Sequence, residues 1–229
     1  MKKKFENKTC FCFGTGKKII FSMVESGFDL IKTKKIFFGF RLFYFQKEID
    51  FTIKLVKSEQ EMKSAYFIRE SIFLEEGGLN YEEGGDQYDS NSFHFLFLKK
   101  DVPIGYMRLI KIYHHEWDFQ GYYKPPKNSF LSYCHLSSSL EISRFGFLKE
   151  YRGNKNFLLK FLYFAHVYAK MNNYKHICGT MRYPLFCYLV RLGIKFEFIG
   201  NKMVCANNWE IIPFSSLIED NIMIIKKML

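Results

Sequence analysis

Apolar and polar positions change period along this chain, and each change marks an element. Phe51, Ile53 and Leu55 alternate with polar residues, which predicts a strand over 51–56. Ser58 with Glu61 three residues later is a capping-box pattern, so a helix should start there. Met62, Ala65, Tyr66, Arg69, Ile72 and Phe73 then fall on one helical face. Glu75–Gly85 holds four glycines and four glutamates and reads as a loop. Ser92–Leu98 and Ile104–Ile110 are two apolar runs joined by Lys99-Lys100-Asp101, a β-hairpin with His94 in one strand and Arg108 in the other. Lys111–Ser139 is polar, contains Pro125-Pro126, and reads as a long connection of the kind that often serves as a lid.

The second half centres on Leu140–Gly153, LEISRFGFLKEYRG. A β-prone run to Leu148 is followed by a basic turn, Lys149–Asn154, and then by an apolar helical run, Asn156–Met171. Strand, basic turn and helix is how an α/β protein presents backbone N–H groups to a phosphate or a carbonyl oxygen. Glu141 and Arg144 inside the strand are costly unless they pair or do chemistry. Lys175–Met181 is a further strand, and a helix from Tyr183-Pro184 is capped by Gly193. Ile194–Ile199 is a strand, Met203–Ala206 pairs back, Ile212-Pro213 begins a closing segment, and Asp220–Leu229 is a short helix. Strands alternating with helices after a hairpin predict an α/β (α+β) domain, a mixed central sheet with helices on both faces.

Residues 1–50 differ from the rest, with eleven Lys/Arg against five Asp/Glu. Ile20, Met23, Val24, Phe28 and Ile31 have helical spacing, and Ile36–Phe45 is aromatic. The chain therefore divides into a basic, aromatic-rich helical extension, 1–50, and a domain, 51–229. The extension either packs on the domain or lies at a membrane surface or partner. With 229 residues and 48% hydrophobic content, disorder is excluded. The 27 phenylalanines reflect a wide apolar cavity, an AT-rich coding bias, or both.

A formal charge of +11 points to an acidic partner, yet no zinc-finger spacing or RNA-binding signature makes that partner nucleic acid. The six cysteines include no CxxC, so neither a disulfide framework nor a zinc site is expected and the setting is a reducing cytosol. No apolar run reaches the ~20 residues that span a bilayer. His114-His115-Glu116 lacks a third ligand by spacing, and no metal is expected.

Arg69-x3-Phe73, Asp86-Gln-Tyr-Asp89, Arg108-Leu109 and Glu141-Ile-Ser-Arg-Phe145, in that order over about 80 residues, resemble the acyl-homoserine lactone synthases. These are autoinducer synthases of the bacterial GNAT-like acyltransferases. Asp86-Gln-Tyr-Asp89-Ser-x-Ser-x-His94, Pro184-Leu185 and Arg191-Leu-Gly-Ile194 through Phe198-Ile-Gly200 look more like the long-chain N-acyl amino acid synthases and the exosortase-associated acyltransferases. The resemblance covers roughly Phe51–Ser215. It implies a GNAT-like fold with a splayed central strand. It also implies an N-acyltransferase moving a long fatty acyl chain to the amine of an amino acid or related small amine, giving a signal or lipid. Autoinducer synthases usually carry a tryptophan where this chain has Leu79-Asn80-Tyr81, and it helps shape the S-adenosylmethionine pocket. Its absence favours an amino-acid acceptor over the lactone product of quorum sensing. A non-catalytic basic binding module is the remaining alternative.

Acyl transfer to an amine needs a held amine, donors for the oxyanion and a proton acceptor. Glu141 is the candidate base, through a water. The resemblance assigns oxyanion and pantetheine contacts to backbone N–H groups around Phe145 to Phe147. Alternation puts Glu141 and Arg144 on opposite faces, so a shared site requires the bulge that the resemblance implies. Arg69, Phe73, Asp86, Asp89, His94, Arg108 and Ser143 are expected around the substrate. Coenzyme A-dependent relatives carry R/Q-x-x-G-x-G/A, and Arg152-Gly-Asn-Lys155-Asn-Phe157 replaces both later small residues. No bound cofactor is expected. The donor expected is the phosphopantetheine of an acidic acyl carrier protein, docked on Lys149, Arg152, Lys155 and Lys160. The aromatic and apolar density at Phe145, Phe147, Phe157, Phe161, Phe164, Phe186 and Leu189 suggests a tunnel for a chain of about C12 or more, worth ~0.8 kcal/mol per buried CH₂, with a phenylalanine-rich core as the alternative. These readings place the protein in the cytoplasm, with the inner-membrane surface as the other use of residues 1–50.

Overall fold

The structure is a computed structural model. It describes residues 51–74, 85–112, 138–204 and 208–229 in full, and strand backbone at 8–12, 18–22 and 40–42. Its strands are β1 (Lys8–Cys12), β2 (Lys18–Ser22), β3 (Phe40–Leu42), β4 (Phe51–Leu55), β5 (Ser92–Lys99), β6 (Val102–Lys111), β7 (Ser139–Phe147), β8 (His176–Arg182), β9 (Glu197–Phe198), β10 (Met203–Val204) and β11 (Glu210–Leu217). Its helices are α1 (Glu59–Leu74), α2 (Lys155–Met171), α3 (Tyr183–Arg191) and α4 (Ile218–Met228). One sheet runs β1-β2-β3-β4-β5-β6-β7-β8-β11-β10, with β9 also on β11. Its pairs are antiparallel except β7 with β8.

Local chemistry starts α1 as the pattern predicts. The Glu61 N–H donates to Ser58 Oγ at 3.2 Å, and the Ser58 N–H donates to Glu61 Oε2 at 3.2 Å. The helix packs Ala65, Ile68 and Ile72 onto Leu96, Leu98 and Tyr106 of the sheet. The opposite faces of β5 and β6 bury Phe95, Phe97, Met107 and Leu109 against α2. These strands are covered on both faces, so they read as continuous apolar runs.

The phenylalanines of α2 are core. Phe161 stacks on Phe145 with ring centroids 3.7 Å apart, and Phe164 meets Phe95 at 5.1 Å. Phe157 stacks on Phe51 at 5.1 Å. α4 packs along a second side of α2, which is why α2 is apolar nearly all round. The acyl tunnel expected from these rings is corrected: they fill the space between α2 and the sheet.

Three other expectations change. The helix expected from Lys18 begins as strand β2, because the β-branched run Ile19-Ile20 and Phe21 favours extended backbone. β3 then pairs with β4, so the described parts of 1–50 are strands of the same sheet. The rest of that stretch lies outside the described residues, as do the loop 75–84 and the connection 113–137. The strand expected over 194–199 shrinks to β9. The closing segment becomes the full strand β11, seated against β8. Pro213 hides that strand in the sequence. Its carbonyl accepts from the Ile199 N–H at 3.4 Å on the outer flank, between the short partners β9 and β10, where a missing donor costs little.

A buried polar chain ties α2 to α4. The Ser216 hydroxyl lies 3.2 Å from His166 Nε2, and Asn221 Nδ2 donates to it at 2.6 Å. Burial pushes His166 from its ordinary 6.5 down to about 4. The folded chain thus keeps this imidazole neutral while the unfolded chain protonates it below about 6.5. Its contribution is complete above that value and is lost as pH falls towards 4. The loss reaches about 3 kcal/mol at 1.36 kcal/mol per pH unit. His94 shifts in the same direction. Thermal denaturation from pH 8 to 4 should show a melting temperature that is flat above 6.5 and falls below it. His166→Gln should flatten part of that lower limb; an unchanged limb would contradict the assignment.

Candidate active site

β7 and β8 pair only from Ser139↔His176 to Ile142↔Gly179, and β7 continues to Phe147 beside β6 alone. The two strands therefore splay. Gly179 sits at the last paired position with φ +155, and a Cβ there would lie 2.6 Å from the Ile142 carbonyl oxygen, so close approach ends with a glycine. Beyond it, alternation decides what the open edge presents. The Leu148 N–H donates to the Ile104 carbonyl at 3.0 Å, which turns Leu148 towards β6. Phe147 then points its N–H and carbonyl to the open edge, and its carbonyl accepts from Arg152 Nε at 2.8 Å.

The bulge is present. Register jumps from Arg108↔Ser143 to Tyr106↔Gly146, so Arg144 and Phe145 oppose Met107 alone. Arg144 takes φ +49, the left-handed region. The insertion turns Arg144 to the α1 face, where its Nη2 lies 3.8 Å from Asp86 Oδ2, while Phe145 packs on the α2 face. Glu141 is in register with Ile110 and Cys178 on the same face as Ser143 and is 2% exposed. Burial pushes the Cys178 thiol well up, and the Glu141 carboxylate adds to the rise.

Arg69, Arg108, Asp86 and Asp89 form a charged network on this face. Arg69 Nη1 donates to Asp89 Oδ1 at 2.7 Å and to Oδ2 at 2.9 Å, and its Nη2 donates to Asp86 Oδ2 at 2.8 Å. Arg108 Nη1 donates to Asp89 Oδ1 at 2.7 Å and also to Asp86 Oδ1, and its Nε donates to Ser143 Oγ at 2.9 Å. Burial would raise Asp89, but Arg69, the Asp86 N–H and Arg108 outweigh it and hold the carboxyl below its ordinary range. Gly85 makes room for this. With φ +112, a Cβ there would stand 2.6 Å from Asp89 Oδ2.

His94 is bonded through both ring nitrogens. Its Nε2 lies 2.9 Å from the Asp89 carbonyl, which can only accept, so Nε2 carries the proton. Its Nδ1 then accepts from the Tyr106 hydroxyl at 2.7 Å. Burial lowers its pKa, consistent with that neutral tautomer. Tyr106 was not expected in the site. Its position two residues before Arg108 on one strand face was the available signal. Phe73 packs among the apolar residues of the α1 layer.

The four expected docking cations separate. Lys149 and Lys155 are exposed. Arg152 is partly buried and donates to the Phe147 and Ile72 carbonyls, the latter at 3.4 Å, so it ties β7 to α1. Lys160 lies over the Phe51 ring at 5.9 Å, and burial lowers its pKa. The α2 N-terminus also differs from expectation. The Phe157 ring points into the core and obstructs nothing outside it. Asn154 Oδ1 accepts from the Asn156 N–H at 3.0 Å and the Phe157 N–H at 3.2 Å, so two of the helix's first donors are already used.

Among the described residues, no helix is long and apolar enough to cross a membrane, and no group of three or more His, Cys, Asp or Glu is placed to hold a metal.

Residues 68–161 match the family model described as acetyltransferase (GNAT) domain. The sheet, the splay and this match give the chain a GNAT-like acyltransferase fold. An uncharacterized N-acetyltransferase, YjcF of Bacillus subtilis (strain 168), is 29% identical over 51 residues, 22% of this chain and 36% of that protein. The chain thus aligns with about a third of that relative's length. Among solved structures, FeeM, an N-acyl amino acid synthase from uncultured soil microbes, has a TM-score of 0.61 at 14% identity, covering 74% of this chain and 91% of that one. The acyl-homoserine lactone synthase LasI gives 0.61 at 12%, covering 78% and 95%. BjaI, a CoA-dependent acyl-homoserine lactone synthase, gives 0.59 at 16%, covering 74% and 82%. At these identities the likeness is one of fold.

Proposed function

We propose that the chain transfers a long fatty acyl group from an acyl carrier protein thioester to the amine of an amino acid or related small amine; with the α2 rings packed as core, the long chain rests on the resemblance to the long-chain N-acyl amino acid synthases. The observation that carries this reading is the splay after Gly179, which leaves the Phe147 edge of β7 open beside the Glu141 and Arg144 face. The acceptor nitrogen attacks the thioester carbonyl, forming the C–N bond. Of the β7 N–H groups at Phe145 to Phe147 expected to meet the oxyanion, that of Phe147 faces the open edge and takes this role. Glu141 takes the amine proton through a water, and collapse breaks the C–S bond, the thiolate leaving as a thiol after protonation. Arg144 balances the carboxylates, and the network of Arg69, Asp86, Asp89 and Arg108 holds the bulge through Ser143.

The start of α2 supports the carrier-protein donor. Pyrophosphate binding at a helix start needs free N–H groups. Here Asn154 occupies two of them and Lys155 follows, so a phosphopantetheine arm without pyrophosphate suits the site better. Lys149 and Lys155 are the exposed cations left for an acidic carrier. BjaI, named as CoA-dependent, makes the comparison worth measuring.

Turnover with matched acyl-carrier and acyl-coenzyme A donors, C4 to C16, is the test. Carrier-bound donors should give the higher kcat/KM and lose it as salt rises, since the rim charges act on encounter. Equal or better turnover with acyl-coenzyme A would overturn the donor assignment, and a peak at C4 to C8 would overturn the long chain. Product mass separates an N-acyl amino acid from an acyl lactone.

A further inference from the structure

Ser215 carries a buried hydroxyl that nothing among the described residues bonds. It is 1% exposed, and its Oγ has no hydrogen-bond partner among the described residues. A hydroxyl buried this way costs free energy comparable to a lost hydrogen bond. Its neighbour Ser216, on the other face, is bonded by both His166 and Asn221, so unmet hydroxyls are not general in β11.

The register places Ser215 with the site. Ser215 pairs with Cys178, and Cys178 pairs with Glu141. Paired residues share a sheet face, so Glu141, Cys178 and Ser215 form one row across β7, β8 and β11. The three are 2%, 0% and 1% exposed. Two strand spacings separate the ends of the row, about 10 Å between backbones. Side chains project the same way from both ends. That span fits a small molecule held by its amine near Glu141 and reaching Ser215 with the far end of its side chain. The middle of the row is a small thiol, which leaves the hydroxyl as the polar group at the far end.

We infer that the acceptor pocket runs along this row and that the Ser215 hydroxyl reads a hydrogen-bonding group at the far end of the acceptor side chain. The inference rests on the acyl-transfer reading for the position of the amine. It makes Ser215 a specificity residue, not a catalytic one. A polar-ended acceptor gains a hydrogen bond there, and an apolar isostere leaves the hydroxyl unmet.

The full chain is assayed with acceptor pairs of matched shape, tyrosine against phenylalanine and glutamine against methionine. The wild type should favour a polar member. Ser215→Ala should fold with an equal or higher melting temperature, because it removes an unmet hydroxyl. It should lower the polar-to-apolar preference roughly three- to ten-fold through the acceptor KM, the acyl-donor KM staying unchanged. Ser215→Cys, of similar size and a weaker donor, should fall between, and it stands in should the alanine variant not fold. The same pairs are measured by acceptor-induced thermal shift without donor. If the shifts discriminate and no acyl product forms, the acyl-transfer reading fails while the pocket stands. A preference unchanged by Ser215→Ala, in turnover and in shift, overturns the inference, since the hydroxyl then meets only water. A change seen between hydroxylated and plain acyl donors, and not between acceptors, also overturns it.

Discussion

Glu141→Gln is expected to lower kcat by ~10²–10⁴ while the fold survives, since that is the usual worth of a positioned base. Gln keeps the size and hydrogen-bonding capacity of the side chain but cannot take a proton. The position makes the comparison informative. Glu141 is 2% exposed and lies on the face that carries Ser143, Arg144 and the arginine network. A passive buried carboxylate would lose little activity as Gln. Steady-state kinetics with melting temperatures on both proteins decide it. A folded variant that keeps most of its turnover removes Glu141 from the mechanism.

Asp89→Ala should have the largest effect on stability, about 3–5 kcal/mol. Asp89 accepts from both Arg69 and Arg108, whose side chains are 1% and 0% exposed. Removing it leaves two buried guanidinium groups with Asp86, 23% exposed, as the remaining carboxylate of the four. The cost is that of uncompensated charge out of water, not the worth of a salt bridge at a surface. The expected fall in melting temperature is on the order of 10 °C for a chain of this size. Arg144→Ala should cost less than Asp89→Ala, because the Arg144 side chain is 20% exposed, against 1% and 0% for the two arginines that Asp89 holds. Calorimetry of the two variants side by side checks the order, and an Arg144 effect as large as that of Asp89 would contradict this reading.

The charge pairing shows how far side-chain type reaches by itself. Arg69 on an apolar helix face demanded a carboxylate, and three arginines matched three acids in number. Which acid meets which arginine was decided by α1 crossing β5 and β6, a tertiary fact. The structure joins Arg69 and Arg108 to Asp86 and Asp89, and places Glu141 along β7, near Cys178. His94 shows the same division. Its presence in a strand was plain, but its role follows from the Asp89 carbonyl and the Tyr106 hydroxyl on either side of the ring.

Much of the fold was determined by sequence alone, because local physics specifies it. The capping box at Ser58 and Glu61, the β5–β6 hairpin and the strand, turn and helix of 139–171 depend on residues close in the chain. The resemblance supplied the splay and the bulge, which no alternation pattern could. What only the tertiary structure decided depends on distant neighbours. β11 could be placed beside β8 only once β9 and β10 left a gap for Pro213. The first residues read as a helix became β2 because a paired strand satisfies backbone that an isolated apolar run leaves ambiguous. The apolar surplus of α2 resolved into core because α4, at the far end of the chain, covers its second side. Ser215 lies 74 residues from Glu141 in sequence, and two hydrogen-bonded strand pairings put them in one row.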